Sequence, residues 1–213
     1  MGFIPDVRKV ILQTPHKNKR QTMFYSATLS EEVLRLADSW TKKEAVKIEI
    51  APNQAAAESI NQIVYLTAEH DKFKNIYNLI EDEKLNRVII FVNRKDTARN
   101  LASLFQRHSK NCSILSGDIT QSKRFSVLND FKNGRIEILV ATDVAARGLH
   151  IEDISHVINY DLPQEPEHYI HRIGRTGRAG AKGTSISFAD ETSSFFIPMI
   201  EEVLGNKLLC EYP

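Results

Sequence analysis

Only two cysteines, Cys112 and Cys210, occur in the 213 residues, and they lie far apart. That excludes a disulfide framework and every cysteine-pair spacing used for zinc, and it makes a reduced, cytoplasmic setting the expectation. No apolar run approaches the ~20 residues needed to cross a bilayer, and no secretory apolar region follows the start. Met1-Gly2 opens like a myristoylation signal, but Asp6 stands where that signal needs serine or threonine. Neither sign of charge is in excess: 28 Lys and Arg against 27 Asp and Glu leave a formal net charge of +1. There is thus no global positive field, and any contact with nucleic acid must come from locally placed cations. Also missing are a Gly-x-x-x-x-Gly-Lys-Ser/Thr run and an Asp-Glu-Ala-Asp run. The chain therefore carries no phosphate-cradling loop of its own.

What is present suits a globular α/β chain. Hydrophobic residues make up 42% and charged residues 26%, and the length allows one full domain plus part of another. Phe3, Val7, Val10 and Ile11 fall at helical spacing, with Pro5 in the first turn. Thr22-Met23-Phe24-Tyr25 predicts a short buried strand that ends at Ser26-Ala27-Thr28. Ser30 suits the cap of a helix carrying Val33, Leu34 and Leu36, and a further strand is expected from Val46 to Ile50. A helix, a strand, a helix and a strand cannot close a doubly wound sheet, so residues 1–50 read as a piece of a domain. Residues 51–59 are alanine-rich and polar and read as a linker.

From residue 60 onward, strands alternate with helices. Strands are expected at 63–66, 87–92, 112–115, 136–141, 157–160 and 185–189, and helices at 70–84, around Ala98 to Phe105, at 121–132 and at 192–204. The 121–132 helix is expected to bury Phe125, Leu128 and Phe131. This alternation argues a parallel sheet with right-handed crossovers. Ligands bind such sheets beyond the carboxyl ends of the strands, where Asn93, Gly117-Asp118 and Thr142-Asp143 fall.

The densest chemistry is His171-Arg172-Ile173-Gly174-Arg175-Thr176-Gly177-Arg178-Ala179-Gly180. A guanidinium is a planar, permanently charged fork that matches phosphate oxygens two at a time. Arg175 and Arg178 are three apart and would share one face of a helical turn. Two such forks suit a polyphosphate whose charge must be stabilised as a bond breaks. A solvated basic loop is the plainer alternative for an isolated run of this kind.

The run does not stand alone. It resembles the last conserved motif of the DEAD-box RNA helicases, and other motifs of that family follow one another in order. Ser26-Ala27-Thr28 is similar to the family's short interdomain motif, and Ile89-Ile90-Phe91-Val92-Asn93 to the strand opening its second RecA-like domain. Ser116-Gly117-Asp118 with Gln121 and Arg124 resembles an RNA-contacting segment. Ala141-Thr142-Asp143-Val144-Ala145-Ala146-Arg147-Gly148-Leu149 and Tyr160-Asp161-Leu162-Pro163 complete the series. The resemblance implies a RecA-like parallel sheet with helices on both faces at residues 60–213, the helicase C-terminal domain. It would be preceded by the tail of a first RecA-like domain at 1–50 and a linker at 51–59. The Gly148-Leu149-His150-Ile151 variant is closest to the bacterial helicase B group, whose members associate with an RNA-decay endonuclease scaffold.

The resemblance also implies roles. Arg175 and Arg178 would be arginine fingers reaching the γ-phosphate of ATP held mainly by the first RecA-like domain, where the protein ligands of Mg²⁺ would also lie. His171, Arg147, Ser26 and Thr28 would couple nucleotide and RNA binding. His150 replaces an aspartate that accepts a bond from the nucleotide ribose, which a neutral imidazole could do and a protonated one could not. Arg94, Gly117, Arg124 and Thr142 would meet the RNA backbone, which gives affinity without sequence. Plainer roles stay open for several of them. Thr142 could cap the following turn, Arg172 could serve as loop support, His171 could be a satisfied core histidine, and Asp143 could anchor its loop within the domain. No aromatic stacking platform is evident in the sequence. The implied function is an ATP-dependent RNA helicase as the whole protein, with this chain inactive by itself. A non-catalytic RecA-like docking module and a DNA-unwinding relative are the rival readings.

Overall fold

The computed structural model describes residues 4–26, 31–48, 60–146, 154–177 and 183–213. The chain divides into two compact units, Met1–Ala51 and Pro52–Pro213.

In the first unit, helix α1 (Ile4–Leu12) is followed by a short 3-10 turn (Lys17–Lys19) and helix α2 (Glu31–Trp40). Arg20 ties them together: its guanidinium donates to the carbonyls of Ile11, Pro15 and Trp40 and to the hydroxyls of Thr14 and Thr22. Neither strand expected here forms among the described residues. Residues 22–26 and 46–48 are irregular, and Met23, Tyr25, Val46 and Ile48 are exposed. A strand is stable only against a neighbour that takes up its backbone bonds, and the described residues of this unit supply none. Ser30 and residues 49–59 lie outside the described residues.

The second unit is built on β1 (Ile60–Leu66), β2 (Val88–Phe91), β3 (Cys112–Leu115), β4 (Ile138–Ala141), β5 (His156–Asn159), β6 (Gly183–Ala189) and β7 (Leu209–Glu211). They form one sheet in the order β3-β4-β2-β5-β6-β1-β7, with every pairing parallel. The helices are α3 (Lys72–Asp82), α4 (Lys95–Arg107), α5 (Gln121–Lys132), the single turn α6 (Asp143–Ala146), α7 (Pro166–Ile173) and α8 (Ile197–Leu204).

Consecutive strand residues point to opposite faces. Val88 and Ile90 pack with Ile76 and Ile80 of α3 and Ala98, Leu101 and Phe105 of α4. Their neighbours Ile89 and Phe91 pack with Val127 and Phe131 of α5 and Ala145 and Ala146 of α6. A third cluster joins Ile60, Val64 and Ala189 to Tyr169 and Ile173 of α7 and Ile200 and Leu204 of α8. Both faces are covered, which is why the central strands are continuously apolar. Burial pushes the Cys112 thiol up to about 12, so it behaves as a small core hydrophobe and not as a nucleophile.

Several details depart from the expectation. Phe125 is 71% exposed, and Val127 takes the core position instead. Repeated steps of three residues drift off a 3.6-residue period, so the true inward stripe runs through 127, 128 and 131. Arg87 lies outside β2 because its φ of 56° is left-handed and breaks the extended run. Helix α7 and strand β7 are additional elements. Pro166 at the start of α7 is a legible signal, whereas β7 is three exposed residues with no pattern to read.

Candidate functional site

Parallel pairing brings the carboxyl ends of all the strands to one edge. Asn93 and Arg94 follow β2, Ser116 to Asp118 follow β3, Thr142 and Asp143 follow β4, Tyr160 and Asp161 follow β5, and Asp190 follows β6. Helix α7 crosses this edge, and its last turn carries His171 and Arg172.

Arg172 is the centre of the site and is 1% exposed. Its Nε and Nη2 donate to the two carboxylate oxygens of Asp143, each at 2.7 Å. Nη2 also donates to Asn93 Oδ1 at 2.8 Å, and Nη1 to the Asp161 carbonyl at 2.6 Å and Asn159 Oδ1 at 3.3 Å. A guanidinium has five N–H donors, and these bonds use them all. The Phe91 ring lies 5.3 Å from the guanidinium carbon. The loops after β2, β4 and β5 are therefore locked to one side chain of α7. Asp143 anchors its loop within the domain, as the sequence allowed.

A second buried cation lies along the same edge. Lys72, at the start of α3, pairs with Asp190 and stands 3.9 Å from Asp161 Oδ1. Burial alone would raise the Asp190 pKa. The hydrogen bonds from Lys72, Thr192 and Ser193 outweigh it and hold the carboxyl well below the usual carboxylate range.

Arg175 lies in the turn beyond α7 and not on the helix. Its backbone N–H donates to the Arg172 carbonyl at 3.0 Å and its Nε to the His171 carbonyl at 3.1 Å. Arg175 and His171 line a small pocket with Phe91, Asp143, Ala146 and His168. The turn is fixed by Gly177, with φ of 66°, and by the Thr176 hydroxyl, which donates to the Ile154 carbonyl at 2.7 Å. The start of β6 presses on it: a Cβ at Gly183 would stand 2.5 Å from the Gly177 nitrogen.

The residues expected to meet RNA follow β2, β3 and β4 or lie on α5. Arg94 is the exposed N-terminal cap residue of α4 and makes no side-chain capping bond. Gly117 is exposed, with Val144 Cγ1 4.0 Å from where a Cβ would stand. Beside it, hydrogen bonds from Ser116, its own backbone N–H and Arg99 hold the Asp118 carboxyl down at about 2. Arg124 is half-buried and donates to the Ala145 carbonyl at 2.6 Å. Thr142 is buried, and its carbonyl accepts the N–H groups of Ala145 and Ala146, so its backbone starts α6. Ser26 is exposed in the first unit. Thr28, Arg147, His150 and Arg178 lie outside the described residues. Among the described residues, no cluster of three or more His, Cys, Asp or Glu side chains could hold a metal ion. No helix of the described residues is long and apolar enough to cross a membrane.

Residues 71–180 match the family model of the helicase conserved C-terminal domain. The chain belongs to that family, in its DEAD-box branch. Over all 213 residues this helicase domain and the segment before it are 52% identical to the ATP-dependent RNA helicase RhlB of Pseudomonas putida, of which they cover 53%. The RhlB of Shewanella putrefaciens is 44% identical over 98% of the chain. The chain spans about half the length of the curated relatives it matches. Among solved structures, S. cerevisiae Dbp5 bound to RNA and ADP BeF3 aligns with a TM-score of 0.78 and 35% identity, over 87% of this chain and 50% of that one. E. coli SrmB bound to the regulator of ribonuclease activity A aligns with a TM-score of 0.69 and 34% identity, over 72% of this chain and 91% of that one.

Arg172, Asn93, Asn159, Asp161, Lys72 and Asp190 carry the helicase domain's edge network. Sequence reasoning assigned Arg172 only a supporting role and passed over Lys72 and Asp190. The one usable signal was position: each follows or faces a strand end.

Proposed function

We propose that this chain is the C-terminal part of an ATP-dependent RNA helicase. It would bind the RNA backbone with residues following β2, β3 and β4 and complete an ATP cleft with the end of α7 and the turn beyond it. The observation that carries this reading is the doubly bonded Arg172–Asp143 pair. Asp143 directly follows Thr142, on the RNA side, and Arg172 directly precedes the turn bearing Arg175, on the nucleotide side. A ligand that shifts one shifts the other, because a buried fork with all its donors engaged has no slack.

In this reading Arg175, Arg178 and His171 meet the phosphates of ATP held by a preceding RecA-like domain, and Arg147 and His150 lie at the same cleft. Closure on ATP and RNA bends a short duplex and separates it locally. The cationic end of α7 fits an anionic nucleotide. It does not fit Mg²⁺, since Asp143 is committed to Arg172, so the metal's protein ligands belong to the preceding domain. The RNA-bound Dbp5 relative supports RNA as substrate. The SrmB complex supports docking of a protein partner, which for this chain would be an RNA-decay endonuclease scaffold in the cytoplasm.

The test is RNA-stimulated ATP turnover of the relative-length protein, with DNA as the comparison polymer. Arginine fingers supply about three to five decades of rate. Arg175→Lys should therefore abolish turnover while leaving nucleotide-free RNA binding unchanged. Near-normal turnover in that variant, or stimulation by DNA equal to that by RNA, would refute the reading.

A further inference from the structure

Among the described residues, two buried cations lie along the strand-end edge, and only Arg172 belongs to the arginine run. The other, Lys72, is 1% exposed. Its ammonium pairs with Asp190, approaches Asp161 Oδ1 at 3.9 Å and lies 5.2 Å from the centre of the Tyr160 ring. Burying an ion pair gains little over apolar packing of the same volume, because desolvation offsets the Coulombic attraction. What such a pair supplies is geometry.

The geometry is expressed at Asp161. One carboxylate oxygen faces Lys72, and the other accepts the backbone N–H of Asn93 at 2.8 Å. The Asp161 carbonyl holds Arg172, and the Asn93 side chain bridges Arg172 to the Leu162 carbonyl. Asn93 is the residue before Arg94, whose backbone is extended at φ −120° and ψ 144° and whose side chain makes no capping bond. The direction in which Arg94 leaves the sheet is thus set by the Asn93 backbone and, through it, by the carboxylate that Lys72 orients.

We propose, resting on the RNA reading of Arg94, that Lys72 is a positioning residue for that contact. With Asp190 it fixes the Asp161 carboxylate, and Asp161 fixes the Asn93–Arg94 turn. Nothing in the RNA reading itself requires a lysine on α3, which lies at the other end of the unit's sequence from the arginine run.

The test is a mutant cycle read as the affinity of the chain for a fluorescent single-stranded oligouridylate at low salt. Lys72→Met combined with Asp190→Asn removes both charges of the buried pair at once, so neither partner is left as an orphaned ion. This pair of changes and Arg94→Ala should each weaken binding about fivefold, a size typical of coupled neighbours. In the Arg94→Ala background the paired change should cost nothing further. In the Arg124→Ala background the losses should multiply, because Arg124 sits on α5 and is held by Ala145. A general structural lesion multiplies in both backgrounds, and that result would overturn the positioning role. So would unchanged affinity in a folded paired variant while Arg94→Ala and Arg124→Ala both weaken binding. If Arg94→Ala alone costs nothing, the RNA reading of Arg94 fails and the role of Lys72 falls with it. Should the paired variant not fold, Asp161→Ala enters the same cycle with the same expected absence of further loss beside Arg94→Ala.

Discussion

At the scale of single residues, the two described arginines of one run have different environments. Arg172 is wholly buried and Arg175 is half-buried in the following turn, while Arg178 lies outside the described residues. The sequence shows the run but not this division, because burial depends on where α7 ends and which way its last turn faces. Arg172→Met would leave the partly buried Asp143 carboxylate without its cation, and removing one partner of a buried pair costs up to about 3–5 kcal/mol. Urea denaturation of the chain should show a loss of that size. Lysine at the same position should recover only a fraction, since a point charge cannot bridge both Asp143 oxygens, Asn93, Asn159 and the Asp161 carbonyl. A loss under ~1 kcal/mol for Arg172→Met would mean that the network is not load-sharing in the way its geometry implies.

At the scale of elements, the alternation of strands and helices was legible because the sheet is parallel and covered on both faces. β3 and α5 fall where the pattern puts them, at Cys112–Leu115 and Gln121–Lys132. Helix phase was less legible. Phe125→Ser should change stability by no more than about 0.5 kcal/mol, as exposed positions do, whereas Phe131→Ala should cost about 3–5 kcal/mol. Among the described residues the strands expected in the first unit do not form, for a reason that no local pattern contains: those residues offer no partner strand. The α3–β6 tie gives the fold a pH signature. Asp190 has a folded pKa depressed below its unfolded value of about 3.9, so its contribution is complete above that pH and is lost as pH falls through the folded value. Thermal unfolding temperature should therefore drop steeply below about pH 4. The variant carrying both Lys72→Met and Asp190→Asn should show a shallower drop, and an identical acid limb in both proteins would exclude this pair as its origin.

At the scale of the whole molecule, the chain should bind ATP weakly and hydrolyse none, because it has no phosphate-cradling loop. Calorimetry with ATP and Mg²⁺ checks this, and turnover by the chain alone would contradict the division of labour between two RecA-like domains. The alanine-rich composition of 51–59 leads to a second expectation, that a broad-specificity protease cuts there first and releases 60–213 as a product. Family membership was legible from motif order, while the hub at the strand-end edge was not, since Asn93, Asp143, Asn159, Asp161 and Arg172 meet only once four separate segments are folded together. The spot where β6 begins has a consequence for heredity. Gly183 leaves no room for even a methyl group, and whatever must yield is the Gly177 backbone and the Thr176 side chain beside Arg175. A Gly183→Ala allele would therefore be expected to arise in a genetic screen as a loss-of-function lesion at a position that has no side chain of its own to meet a ligand. Suppressors that restore it should map to the Thr176–Gly177 turn and not to the strand that carries the change.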